Sequence, residues 1–123
     1  MRVAVTVPAN PEILEALLEG LVRVNEVLLD RSALPPLYHS GARYARERAG
    51  SEDWKTCERI YASGSGDCED LAGWRVAELR RAGEPDAVAV VVPGGPRIWH
   101  VQVQRADGSI EDPSRILGMN GHG

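Results

Sequence analysis

The sequence predicts one domain in which helices and strands are mixed. Apolar residues recur at helical spacing from Ile13 to Leu28 and again from Cys68 to Leu79. Short valine-rich runs, bounded by glycine, proline and aspartate, alternate with these segments, which is typical of strands. Because 123 residues is the usual size of one domain, we expect residues 1–123 to form a single unit.

The first predicted elements are a strand and a helix. Residues 2–7 alternate, with three valines on one side, and this pattern predicts a short strand. Asn10 is a good N-cap, and Pro11 and Glu12 suit a first helical turn. The periodicity carries this helix to about Asp30 and gives it one leucine-rich stripe.

The middle of the chain is harder to interpret. Two consecutive prolines, Pro35 and Pro36, exclude a helix at the centre of their segment. Residues 51–54 resemble a helix start, and we expect a short helix that reaches Tyr61. The following Ser63-Gly64-Ser65-Gly66 ends it.

The second half predicts a capped helix and three strands. Asp67 can cap a helix that runs to about Ala82, with Asp70 in the position of a capping-box acid. Residues 87–92 are uniformly apolar, so we expect a strand that is covered on both faces. Residues 97–104 and 109–112 predict the two strands of a hairpin.

The register of that hairpin decides which side chains meet. A two-residue loop, Asp107-Gly108, pairs Val103 with Asp112 and segregates the apolar residues better. A three-residue loop places Gly108 in a left-handed conformation, pairs Gln102 with Asp112 and sets Asp112 diagonal to His100. We choose the three-residue loop because it places Asp112 where its side chain can reach His100.

Composition excludes several classes of protein. The net charge is −4, so no basic surface is expected to hold nucleic acid. The longest apolar run, residues 87–92, is far shorter than the ~20 residues of a membrane helix. The valine run at residues 3–7 is also too short for a signal peptide. With two cysteines, we expect a cytoplasmic protein with reduced thiols.

Cys68 is the sharpest candidate for chemistry. It occupies the first position of a predicted helix after a glycine-rich approach, where the helix dipole favours a thiolate. Glu69 and Asp70 oppose this effect, so the thiol needs a basic partner. Cys68 also lies on the inward stripe of the helix, where an ordinary core cysteine is the alternative.

His100 and Asp112 are the candidate partners. His100 is central in a predicted strand, a rigid element that suits a catalytic base, and Asp112 can orient it from the next strand. The alternatives are a half-exposed strand histidine and a strand-ending aspartate. Zinc is disfavoured because no CxxC or HxxxH pair exists, so we expect neither a metal nor another cofactor.

Cys68, His100 and Asp112, in this chain order, resemble the transglutaminase-like cysteine enzymes. The similar segments are residues 66–72, 99–101 and 110–113, and the resemblance covers residues 54–115. Residues 34–38 and 41–44 resemble short phage and prophage members of this group.

The resemblance implies an α+β, papain-like fold in which the cysteine helix packs on a small antiparallel sheet. It implies acyl transfer from, or hydrolysis of, a peptide or glutamine-type carboxamide, with a peptide or protein as the substrate. Cys68 would be the nucleophile, His100 the base and Asp112 the orienting acid. The Cys68 backbone N–H and Trp54 would be oxyanion donors.

Two other classes stay open. One is a phage structural or assembly module, virion-associated and in contact with phage structural proteins, that keeps the fold without turnover. The other is a binding protein in which Cys68 is a core residue.

Overall fold

A computed structural model describes residues 2–4, 10–46, 53–95 and 98–119. It is a mixed α+β structure with a small antiparallel sheet. Of the predicted strand at residues 2–7, the described part forms β1 (Arg2–Ala4), and residues 5–7 lie outside the described residues. No helix in the described ranges is long and apolar enough to cross a membrane.

The first helix, α1 (Pro11–Arg31), begins where the capping signals predict. The Asn10 side chain accepts hydrogen bonds from the backbone N–H groups of Glu12 and Ile13, and Pro11 is the first residue of the first turn. Its buried stripe, which includes Leu14, Leu18, Leu21 and Val22, faces the core.

The middle segment consists of short elements. After a 3₁₀ turn (Leu37–His39) come β2 (Arg43–Tyr44), β3 (Asp53–Lys55), α2 (Cys57–Ser63) and β4 (Ser65–Gly66). The expected helix start at residues 51–54 is wrong in its described part, because Asp53 and Trp54 belong to a strand and the helix begins at Cys57. The antiparallel pairing of β3 with β1 explains the difference, since a long-range strand partner overrides the local pattern.

The third helix, α3 (Cys68–Arg81), is the centre of the fold. Asp67 and Asp70 form the expected capping box at its start. One buried cluster packs it against α1 and the sheet, through residues that include Leu18, Val76, Val101 and Val103. A second cluster, which includes Leu37, Ile60, Leu71 and Trp74, lies between α3 and the middle segment.

Three strands form the antiparallel sheet in the order β5 (Val88–Gly95), β6 (Ile98–Gln104), β7 (Ile110–Glu111). The expectation that both faces of β5 are covered is wrong. Val88 is exposed. Residues 89–92 are all partly buried, but only Ala89 and Val91 among them pack on the buried cluster. The helices therefore cover one face of this strand.

The hairpin between β6 and β7 has the three-residue register. Val103 pairs with Glu111 and Gln104 pairs with Ile110. Gly108 has a φ of 88°, the left-handed conformation that this loop requires. The short helix α4 (Pro113–Ile116) follows, with Asp112 as its N-cap.

Candidate functional site

His100 and Asp112 meet across the β6–β7 hairpin. His100 Nε2 lies 2.8 Å from Asp112 Oδ2, and the same oxygen accepts the side-chain amide of Gln102 at 3.2 Å. The register puts all three side chains on one face, because strand side chains alternate. The predicted pairing of a strand histidine with an acid on the next strand is confirmed as geometry.

Asp112 is charged at neutral pH. Burial by itself raises its pKa, but the hydrogen bonds from His100 and Gln102 outweigh this and hold the pKa below its ordinary value. A carboxylate only accepts hydrogen bonds, so His100 Nε2 must be the donor. In a neutral imidazole, Nδ1 is then the unprotonated nitrogen, which is the state that a general base needs.

Cys68 begins α3, but its backbone N–H is already used. It donates to Asp67 Oδ1 at 2.7 Å as part of the helix cap. The expectation that this N–H is an open oxyanion donor is therefore wrong for the structure as it stands. The sequence analysis assigned this N–H to catalysis, whereas the side chain of the N-cap residue Asp67 binds it.

The buried side chain of Asp70 binds the backbone of the segments that lie beside Cys68. Asp70 is fully buried and accepts the backbone N–H groups of Lys55 at 2.7 Å and Asp67 at 3.0 Å. At Gly66, a Cβ atom would lie 3.0 Å from the Asp70 Cβ, so any other residue here would have to push the start of α3 aside. The last residue of the glycine-rich approach, Gly66, is thus packed against the start of α3.

The Cys68 thiol is buried and protonated at neutral pH. Its residue is 8% exposed, and its Sγ donates a hydrogen bond to Glu69 Oε2 at 3.2 Å. Burial, followed by the charges of Glu69 and Asp67, raises the pKa of Cys68 well above its ordinary value. The expectation of a thiolate produced by the helix start is wrong, because desolvation and neighbouring carboxylates outweigh the helix dipole.

The Cys68 sulfur nevertheless lies beside the strand that carries His100. The backbone of Val101, the residue after His100, acts to lower the pKa of Cys68. Among the described residues, the sulfur hydrogen-bonds no ring nitrogen of His100; its side-chain partner is Glu69. The structure thus brings His100 and Asp112 into contact. Cys68 lies in the same buried cluster as Val101 and forms no hydrogen bond with the His100 ring.

Glu69 is the residue that sequence reasoning underestimated. It is partly buried, and burial, with the charges of Asp67 and Asp70, raises its pKa to about 8. A carboxyl group in this state can hold or release a proton near neutral pH. The three acids that flank Cys68, namely Asp67, Glu69 and Asp70, were the available sequence signal.

Two further residues border the site. Tyr44 pairs with Gly66 through β2 and β4, and burial, with the charges of Asp67 and Cys68, raises its pKa to about 12. At Gly94, in the bulge of β5, a Cβ atom would lie 3.1 Å from the His100 Cβ. The glycine pair at the end of a valine strand was the signal for this close approach.

Trp54, the other expected oxyanion donor, is 2% exposed and lies in the core cluster that contains Cys68. Its burial makes it a packing residue rather than a donor open to substrate. Both cysteines are free thiols. In the described ranges, one group, formed by Asp67, Cys68 and Glu69, brings three ligand atoms within 4.8 Å of one another, but the helix cap and the Cys68–Glu69 hydrogen bond already use these groups.

Comparisons of the chain with protein-family models, with curated proteins and with solved structures found no match.

Proposed function

We propose that the chain is a cysteine hydrolase or acyltransferase of the transglutaminase-like type. The observation that carries this proposal is the 2.8 Å contact between His100 Nε2 and Asp112 Oδ2, on a strand whose next residue, Val101, lies in the same buried cluster as Cys68. A carboxylate, an imidazole and a thiol in this order are the parts of a catalytic triad. The substrate proposed is a peptide or a glutamine-type carboxamide.

The reaction begins with a proton transfer, since the resting thiol is protonated. The Cys68 S–H turns from Glu69 to His100 Nδ1, which takes the proton, and Asp112 stabilises the imidazolium. The sulfur attacks the carbonyl carbon and forms an S–C bond. The tetrahedral intermediate then collapses, its C–N bond breaks, and His100 gives its proton to the leaving amine.

The resulting thioester on Cys68 is resolved by a second nucleophile. Water, or a primary amine, gives a proton to His100 as it attacks the thioester carbon. The S–C bond breaks, and the proton returns from His100 to the Cys68 sulfur. Water as the acceptor makes the chain a peptidase or deamidase, and an amine makes it a crosslinking enzyme.

A second candidate, a phage structural or assembly module without turnover, is favoured by one observation. The Cys68 thiol is buried, and both its sulfur and its backbone N–H donate to neighbouring carboxylates. Inert cysteines are found in such surroundings.

Mass spectrometry after incubation with peptide libraries separates the two candidates. The proposal expects an acyl adduct on Cys68 that hydroxylamine releases, and its absence in Cys68→Ser. Cys57, which is fully buried, is the internal control and stays unmodified. A folded wild-type protein that forms no adduct with any peptide would favour the structural module.

A further inference from the structure

Glu111 lies at the centre of a partly buried charge cluster beside the candidate site. Its Oε2 accepts the Tyr38 hydroxyl and Arg75 Nε, the latter at 2.5 Å. Its Oε1 accepts Arg105 Nη1 at 3.0 Å and Arg75 Nη2 at 3.4 Å. We call these four residues, Tyr38, Arg75, Arg105 and Glu111, the Glu111 cluster.

The Glu111 cluster ties β7 to distant parts of the chain. Arg75 belongs to α3 and Tyr38 to the 3₁₀ turn, and the Arg75 guanidinium lies 4.8 Å from the centre of the Tyr38 ring. The side chains of Arg75 and Glu111 are 20% and 15% exposed, so both charges are largely removed from water. Charge-assisted, bidentate hydrogen bonds are strong in such surroundings.

Glu111 is charged although it is partly buried. Burial alone raises its pKa, but hydrogen bonds from Arg75 and Tyr38 bring the pKa below its ordinary value. The carboxylate is thus committed to the cluster and cannot replace Asp112 as the partner of His100.

The residue after Glu111 is Asp112, and the two face opposite sides of the hairpin. Since side chains alternate along a strand, Glu111 shares the face of Val103 while Asp112 shares the face of His100. β7 has two residues, each paired with one residue of β6, so backbone pairing alone holds this segment weakly.

We propose that Glu111 is a positioning residue. Its cluster anchors β7 to α3 and thereby aims the Asp112 carboxylate at His100. The functional meaning of this role rests on the proposed function, whereas the geometry it describes does not.

The test replaces Arg75 with methionine and follows Asp112 and His100 by NMR. In Arg75→Met, the pKa of Asp112, read from its side-chain ¹³C carboxyl signal, should rise toward its ordinary value as the contact with His100 loosens. The imidazole ¹⁵N signals of His100 should change with it. Arg75→Lys keeps a positive charge, so its Asp112 pKa and its His100 signals should lie between those of wild type and Arg75→Met. Arg80→Met is the matched control, because it removes a partly buried ion pair with Glu19 from the same helix but on the α1 side.

A merely structural cluster gives a different result. If Arg75→Met and Arg80→Met lower the melting temperature alike and neither moves the Asp112 signal, the positioning role is overturned. If Arg75→Met does not fold, Tyr38→Phe removes one donor to Glu111 and should move the Asp112 pKa in the same direction by less. If the Asp112 pKa is unchanged in Tyr38→Phe, the proposal is also overturned.

These readouts need no turnover, so the two proposals fail separately. A wild-type protein without acyl adducts, together with a shifted Asp112 signal in Arg75→Met, rejects the enzyme and keeps the positioning role.

Discussion

The Oδ2 atom of Asp112 lies 2.8 Å from the Nε2 atom of His100, twelve residues earlier in the chain. The other oxygen, Oδ1, accepts the backbone N–H of Arg115 at 3.3 Å and caps α4. One carboxylate therefore holds the imidazole and starts a helix at the same time. This double use fixes the acid more firmly than a strand position alone would.

Asp112→Asn separates these two uses. Asparagine is an equally good N-cap, so the melting temperature should change little. Its neutral side chain no longer stabilises the imidazolium, so the rate of adduct formation on Cys68 should fall by roughly 10²–10⁴-fold, as in other triads.

Asp112→Ala is the companion variant. It also removes the cap, which costs about 0.5–2 kcal/mol, and should lose both activity and stability. An unchanged rate in Asp112→Asn would show that Asp112 only caps α4.

Glu69→Gln should make Cys68 more reactive. The Glu69 carboxylate accepts the Cys68 S–H and its charge raises the pKa of the thiol, so the neutral amide should lower that pKa and increase the thiolate fraction. The rate of alkylation by iodoacetamide, followed by intact mass between pH 6 and 10, should rise above about pH 8, where Glu69 of the wild type carries its charge, and change little below that pH, where Glu69 is already largely neutral. A slower rate would instead assign the role of proton acceptor to Glu69.

The same residue predicts how stability changes with pH. The folded state raises the pKa of Glu69 from 4.5 to about 8, so between these values it keeps a proton that the unfolded chain releases. Stability should therefore fall as the pH rises through this window. The acids with lowered pKa values, Asp112 and Glu111, act below that window and with the opposite sign, because their contribution is lost as the pH falls through the folded pKa.

Urea unfolding of wild type and Glu69→Gln at several pH values checks this sign. The variant should gain relative stability steadily from pH 5 to 8. A difference that is independent of pH would contradict the raised pKa of Glu69.

The elements with local signals were the ones that sequence reasoning could predict. The caps at Asn10 and Asp67 bind backbone N–H groups within their own first turns, so sequence alone identifies where α1 and α3 begin. The short pairings of β1 with β3 and of β2 with β4 have no such signal. They join residues far apart in the chain, and tertiary context decides them.

The candidate site divides in the same way. The apolar pattern favoured the two-residue loop, and the three-residue register was predicted because it joins His100 to Asp112; the pairing of Val103 with Glu111 and the positive φ of Gly108 confirm that register. The state of Cys68 depends on its depth and on the direction of the Glu69 side chain. Neither is encoded in spacing, and the helix-dipole rule therefore gave the wrong sign for the thiol pKa.

Gly108 should be required for the register that joins His100 to Asp112. Its φ is 88°, and no heavy atom lies within 4 Å of the place that a Cβ atom would take, so the cost of Gly108→Ala comes from the backbone conformation alone. We expect that cost to be about 1–2 kcal/mol in the free energy of unfolding, and urea unfolding would measure it.

Gly20→Ala is the matched control: the site is equally open but helical, so alanine should stabilise the protein by up to about 1 kcal/mol. A strained turn should also loosen the Asp112 contact and slow adduct formation on Cys68, whereas Gly20→Ala should leave that rate unchanged. Equal stability changes in the two variants would show that the loop does not depend on the left-handed residue.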